Sequence, residues 1–151
     1  MIFRQATIDD IESMHEVRLA VTENALTNPD LITFNDYKEY LLQRGLGWVC
    51  ESGNVIVGFA IVDLNQNNVW ALFVKPGFEM KGIGRKLHDT MLECYFSNTT
   101  EPIWLSTAPG TRAETFYRKA GWIQTGMQAN GELKFEMKYN SSLKCQRKRF
   151  R

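Results

Sequence analysis

Apolar positions along the chain recur with two periods, one near 3.6 and one of 2, and the switches between them predict the elements. Residues 2–5 form a short first strand. Thr7-Ile8-Asp9-Asp10 sets an acid three residues after a threonine, a capping-box helix start, and Ile8, Ile11, Met14, Val17 and Val21 follow at helical spacing. Thr33-Phe34-Asn35-Asp36 repeats the signal, with Phe34, Tyr37, Tyr40 and Leu41 on neighbouring turns and Gly45 as the stop. Strands over 48–51, 55–62 and 69–74 come next, joined by Ser52-Gly53-Asn54 and by Asn65-Gln66-Asn67-Asn68 into an antiparallel meander. Ile83, Leu87, Met91 and Tyr95 mark a helix over 82–96, and 103–107 is a strand. Thr111-Arg112-Ala113-Glu114 opens a helix of about ten residues that Gly121 ends. Residues 122–127 and 133–139 are the last strands; in the second, Leu133, Phe135, Met137 and Tyr139 alternate with Lys134, Glu136 and Lys138.

Composition narrows the class. With 151 residues, 44% hydrophobic and 23% charged, the chain is expected to build one full core, which excludes collagen-like, disordered and disulfide-stapled classes. No apolar run reaches about 18 residues and residues 1–10 lack the basic-then-apolar order of a secretory signal, so no membrane association is expected. Cys50, Cys94 and Cys145 form neither a paired motif nor a Cys/His zinc pattern; a reducing cytoplasm and no metal are the expectation. The net charge of +1 conceals a division: residues 1–70 hold 4 Lys+Arg against 10 Asp+Glu, and residues 71–151 hold 14 against 7. A polyanion would favour the second half and a cation the first. Lys144, Arg147, Lys148, Arg149 and Arg151 make the end basic, which reads as a solvated tail over 141–151 behind a single domain over 1–140; nucleic-acid binding is the lesser reading.

The stretch 69–87 carries the chemistry. It runs from a strand through a glycine-bearing loop into a helix, where backbone can approach a phosphate and the first helical N–H groups can hold it. Lys81, Arg85 and Lys86 add positive charge. Gly77 and Gly82 have the Walker spacing, but Ile83 and Gly84 stand where Lys and Ser/Thr are required, so this is not a P-loop. Leu87 breaks the dinucleotide fingerprint that Gly82 and Gly84 would begin. The two glycines by themselves also fit a tight strand-to-helix turn.

Order and distance add a resemblance. Glu79-Met80-Lys81-Gly82-Ile83-Gly84 resembles motif A, Q/R-x-x-G-x-G/A, of the GCN5-related N-acetyltransferase superfamily, and Ala113 to Trp122 resembles its motif B, A-x-x-F-Y-x-x-x-G-F/W. The likeness spans roughly residues 1–140. It implies an α/β fold of the α+β type, with a mixed, mostly antiparallel central sheet of about seven strands flanked by about four helices. It also implies acetyl-CoA as cosubstrate, lying where strands 69–74 and 103–107 splay apart. Backbone at Leu72, Phe73 and Val74 would pair with pantetheine, while Glu79, Met80, Lys81, Gly82, Ile83, Gly84 and Arg85 cradle the pyrophosphate. Two departures stand out: Glu79 replaces the usual Gln or Arg, and Pro109, Gly110 and Thr111 occupy the stretch where an Asn often precedes motif B.

The implied reaction is direct attack of a primary amine on the thioester in a ternary complex. Tyr117 occupies the family's usual general-acid position, and its alternative role is a buried aromatic against Trp104 or Trp122. Asp63 or Glu23, acting through water, are the candidates for the base, each with a solvated surface role as the alternative. His15 and His88 show no evident partner and read as structural. The acceptor would enter past the first two helices, where Glu23, Asn24, Asp30, Phe34, Asp36 and Tyr37 suit a small or peptide amine. A homodimer is compatible with the sequence. The competing reading is a non-catalytic acyl-CoA-binding regulatory module.

Overall fold

The computed structural model describes residues 1–22 and 32–140. The chain divides into two compact units, Met1–Leu92 and Glu93–Arg151. In the first, β1 (Ile2–Gln5) leads to a 3-10 turn (Ile8–Asp10), α1 (Ile11–Ala20) and α2 (Phe34–Glu39). A π-helical turn (Tyr40–Arg44) then delivers the chain to β2 (Gly45–Ser52), β3 (Val55–Asp63) and β4 (Asn68–Val74). These four strands pair in chain order, each antiparallel to the next. The β2–β3 hairpin closes through Gly53 (φ 58°) and Asn54 (φ 66°), whose two left-handed residues match the twist of the strands they join.

The helices cover both faces of this meander. Ile11, Met14 and Val17 of α1, with Tyr37 and Leu41, pack against Val49, Ile56, Phe59, Ile61 and Ala71. A Cβ at Gly58 would lie 3.1 Å from Ile83 and 3.2 Å from Leu87, so the glycine marks where α3 (Ile83–Asn98) presses against β3 from the other side. Burying one such large apolar side chain is worth about 1.5–3 kcal/mol. That is why the buried sets on α1 and α3 fall where the hydrophobic periods predict, while β3, covered on both faces, is buried from Ile56 to Asp63 without alternation.

Some expectations are corrected. Val21 lies beyond α1 in extended backbone, because the helix ends at Ala20. The capping residues at Thr7 start a 3-10 turn before the α-helix, with the Asp10 carboxylate accepting from the Thr7 N–H at 2.8 Å. Gly45 stops the helical segment as expected, but in extended rather than left-handed backbone: it caps the π-helical turn and begins β2, and any Cβ there would collide with the Val62 carbonyl oxygen. Phe34 shares the helical spacing of Tyr37 and Leu41 but, unlike them, is exposed (54%).

The second unit contains β5 (Ile103–Thr107), α4 (Arg112–Lys119), β6 (Ile123–Met127) and β7 (Leu133–Met137). β7 pairs antiparallel with both β5 and β6. Helix α4 has eight residues, shorter than expected, and its capping box is half formed. Thr111 accepts from the Glu114 N–H at 3.3 Å, but the Glu114 carboxylate reaches back to the Gly110 N–H at 2.8 Å. The basic tail 141–151 lies outside the described residues.

Candidate active site

The junction between β4 and α3 is built from left-handed backbone. Lys75 N–H donates to the Val57 carbonyl at 2.7 Å, holding the end of β4 against β3, and its own carbonyl accepts from Phe78 N–H at 3.0 Å to begin a turn. Gly77 (φ 94°), Met80 (φ 64°) and Gly82 (φ 81°) all take the left-handed conformation that glycine adopts freely. Met80 does so as a non-glycine residue with its side chain 99% exposed, a local strain of about 1–2 kcal/mol. The first helical hydrogen bond of α3 runs from Lys86 N–H to the Gly82 carbonyl at 3.1 Å. The N–H groups of Ile83, Gly84 and Arg85 precede it and have no intrahelical acceptor, so they face out of the positive end of the helix. Open space surrounds the Cβ positions of Gly77 and Gly82, and the one at Gly84 would rest 3.5 Å from Val74. The result is a backbone cradle with donors and without side-chain bulk, a shape that accepts phosphate oxygens.

Side chains complete it. The Glu79 carboxylate accepts from the Gly77 N–H at 2.8 Å, so the acid in the position of the usual Gln or Arg is folded onto its own loop. Lys81 is exposed, with its ammonium 5.8 Å from the Phe78 ring centre, and Arg85 is exposed beside Asp89 at 3.2 Å. Lys86 lies over the Phe3 ring.

β4 carries a feature that residue alternation does not reveal. Ala71 pairs with Ile61 and Val69 with Val62, which leaves Trp70 as an extra residue opposite no partner. This bulge turns Trp70 toward α2, where it stacks on Tyr40 (4.2 Å, 15°) and meets Tyr37 edge-on at 5.3 Å. Farther along, the Arg18 guanidinium lies 4.0 Å over the Phe73 ring. Leu72, Phe73 and Val74 are half-buried. Tyr37 and Tyr40 were readable at helical spacing and Trp70 within its strand; their convergence depends on the bulge and on the π-helical turn.

In the second unit, α4 ends in a Schellman arrangement that reaches back to Tyr117. Trp122 N–H bonds the Tyr117 carbonyl at 3.0 Å, Gly121 N–H bonds the Arg118 carbonyl at 3.2 Å, and Gly121 takes φ 99°. The apolar contact of that motif is the edge-on packing of Tyr117 and Trp122 rings at 5.7 Å, with Phe116 on a further side. Tyr117 is buried, and burial pushes its phenol well above the ordinary value, so it keeps its proton across the physiological range.

Asp63 is buried rather than solvated. Its Oδ2 accepts from Arg44 at 2.7 Å, and its Oδ1 accepts from the N–H groups of Asn65 and Gln66 at 2.9 and 3.2 Å. Glu23, Asn24 and Asp30 lie outside the described residues. Of the remaining acidic and aromatic acceptor set, Asp36 caps α2 through Thr33, Tyr37 is core, and Phe34 is exposed. Both histidines have partners, contrary to expectation: His15 Nδ1 is 3.0 Å from the Tyr37 hydroxyl, and the buried His88 is 2.8 Å from Asp89. Burial raises the thiols of Cys50 and Cys94, which disfavours thiolate chemistry. Among the described residues no group of three or more His, Cys, Asp or Glu could hold a metal, and no helix is long and apolar enough to cross a membrane.

Comparison with known proteins adds the lineage. Residues 43–124, more than half of the chain, match the model of the acetyltransferase (GNAT) domain. No curated protein sequence matches. Among solved structures, the PaiA N-acetyltransferase of Thermoplasma acidophilum in complex with coenzyme A is similar at 17% identity and TM-score 0.79, over 91% of this chain and 98% of that one. The ribosomal-protein-alanine N-acetyltransferase of Brucella melitensis is similar at 18% identity and TM-score 0.74, over 92% and 100%. A Bacillus anthracis structure in complex with acetyl coenzyme A aligns at 16% identity and TM-score 0.70, over 91% and 99%. At these identities the likeness is one of fold, and that fold has the expected seven strands, mostly antiparallel, and four α-helices in the expected order. With its domain model matched from before β2 into β6, the chain belongs to the GNAT acetyltransferase family.

Proposed function

We propose that the protein is an N-acetyltransferase that uses acetyl-CoA and moves the acetyl group to a primary amine by direct attack in a ternary complex. The observation that carries this reading is the cradle at 75–85: three left-handed residues, open space where Gly77 and Gly82 lack a Cβ, and the N–H groups of Ile83, Gly84 and Arg85 at the start of α3. These residues fit a pyrophosphate, with Lys81 and Arg85 supplying charge at its rim. Similar structures hold coenzyme A and acetyl coenzyme A, which supports the same ligand here. The backbone of Leu72, Phe73 and Val74 takes the pantetheine amides. Glu79, bound to the Gly77 N–H, shapes the loop and contributes no contact to phosphate.

Bound acetyl-CoA supplies a thioester whose carbonyl carbon forms the new C–N bond while its C–S bond breaks. Tyr117, kept protonated by burial, is the residue we assign to donate to the departing sulfur. The acceptor amine must lose a proton first, because an alkyl amine of pKa about 10.4 is neutral in only about one molecule in a few thousand at pH 7. Asp63 already accepts three hydrogen bonds, which favours anchoring of the β3–β4 turn over proton abstraction. We therefore assign the amine proton to a water path, with Glu23 the remaining side-chain candidate at its end.

A panel of amines, from amino acids and polyamines to aminoglycosides and peptides, incubated with acetyl-CoA and read by thiol release, tests the assignment. One class of amine should accelerate release. If acetyl-CoA raises the melting midpoint while no amine accelerates release, the regulatory acyl-CoA-binding module is the better reading.

A further inference from the structure

On the α1 face of the first unit, beside Lys75 where β4 gives way to the cradle, lies a cleft of about 310 Å³ to which the proposed reaction assigns no role. A cleft of this size is at the lower limit of ligand sites and suits a small metabolite rather than a nucleotide cofactor.

Its back wall is a preorganised charge network. The Arg4 guanidinium grips both oxygens of the buried Asp10 at 2.8 Å and bonds Glu51 Oε1 at 2.6 Å, so one cation is shared by two carboxylates. Glu51 spends only Oε1 on that contact, and its Oε2 stays available. In front of this wall the half-buried Ser13 and Lys75 and the exposed Glu16 line the cleft with side chains that form no hydrogen bond or ion pair among the described residues. A carboxylate and an ammonium in one small cleft, without partners among the described residues and not joined to each other, present complementary charge to a ligand that bears both signs. The floor is apolar, made by the buried Val17 and Ile56.

We propose that this cleft binds a free aliphatic α-amino acid, its ammonium between Glu16 and Glu51 Oε2, its carboxylate on Lys75, and its side chain on Val17 and Ile56. A simple amine would leave Lys75 unanswered. A simple carboxylic acid would meet two carboxylates. Lys75 also follows directly on β4, and its carbonyl accepts the Phe78 N–H that begins the cradle, so occupancy should alter acetyl-CoA affinity. That last consequence alone rests on the proposed function.

The test is calorimetric titration of the full chain with L-leucine up to about 10 mM, a range set by the weak affinity expected of partly exposed ion pairs. No acetyl-CoA is present. L-leucine should bind, while N-acetyl-L-leucine, without the ammonium, and L-leucinamide, without the carboxylate, should not. Glu16→Gln and Lys75→Met remove charges with no partners among the described residues, so both should melt like the parent, and each should weaken L-leucine by about tenfold. Equal binding of L-leucinamide, or unchanged affinity in both well-folded variants, overturns the site. Because this arm contains no acetyl-CoA, its outcome is independent of the acetyltransferase reading. In a second arm, saturating L-leucine should shift acetyl-CoA affinity several-fold and the reverse by the same factor; an unchanged affinity overturns the coupling.

Discussion

Gly82 and Gly84 look equivalent in the sequence, yet the structure separates them, and replacing each with alanine tests where the pyrophosphate rests. Gly84 lies in the first turn of α3 and a Cβ would touch Val74 Cγ2 at 3.5 Å, an ordinary contact. Alanine there should therefore keep or raise stability, by up to about 1 kcal/mol from helix propensity. That corresponds to a rise of about 2–4 °C in a chain of this size. Gly82 has φ 81° and open space around it, so alanine there meets no atom but must occupy the left-handed region at a cost of about 1–2 kcal/mol. Its melting midpoint should fall by a few degrees. Acetyl-CoA affinity should move the other way from stability at Gly84. A methyl group beside the N–H groups of the first turn pushes a phosphate oxygen off at least one charge-assisted hydrogen bond, worth about 1.5–3 kcal/mol or roughly 10- to 100-fold in Kd. Thermal melts with and without acetyl-CoA, together with calorimetric titration, separate the two effects. If Gly84→Ala folds at least as well as the parent and binds acetyl-CoA equally, the glycine serves packing against Val74, and the pyrophosphate is not held at the start of α3.

Three further outcomes follow from named contacts. Tyr117→Phe should lower turnover by about two orders of magnitude with little change in acetyl-CoA affinity or melting point, since the ring still packs on Trp122 and only the hydroxyl is lost; wild-type turnover would reduce Tyr117 to the apolar contact of its Schellman turn. Asp63→Asn should cost about 2 kcal/mol by weakening the hold on Arg44, while the folded fraction keeps near-parental turnover and pH profile; a collapse in turnover at unchanged stability would make Asp63 the base. The hydrogen bonds from Arg4 hold the Asp10 carboxyl below its ordinary value, so the ionised form stabilises the fold above the unfolded carboxylate range, and that contribution drains away as pH falls through the lowered folded value, below about pH 4. Asp10→Asn should therefore melt lower than the parent at pH 7, by about 1–2 kcal/mol, and the gap should narrow on acidification; a constant gap would show that the charge is not what stabilises.

Local patterns in the chain were enough for the elements and their order. The threonine-acid starts at Thr7, Thr33 and Thr111, the left-handed glycines at 53, 82 and 121 and the buried period of α3 depend on neighbours within a few residues, so they are legible from one strand of text. The cradle was legible for the same reason, because a strand, glycines and a helix start lie in one continuous segment. Its charge arrangement was not: nothing in the spelling Glu79-Met80-Lys81 says that the carboxylate turns back to the Gly77 N–H.

What the tertiary structure alone decided depends on register and on groups distant in the chain. The extra residue at Trp70 follows from how β4 pairs with β3, and a shift of one position would send the ring to the other face, away from Tyr37 and Tyr40. Asp63 read as a candidate base with a solvated surface role as the alternative, and only packing shows Arg44 and two backbone N–H groups closing around it. Arg4, Asp10 and Glu51 come from three elements, as do the unpartnered Glu16 and Lys75 in front of them from two more positions along the fold. Hydrophobic period records only which face of an element is buried. The partner of a buried charge is chosen by packing between elements, because leaving it unpaired in that environment costs more than any local propensity can offset.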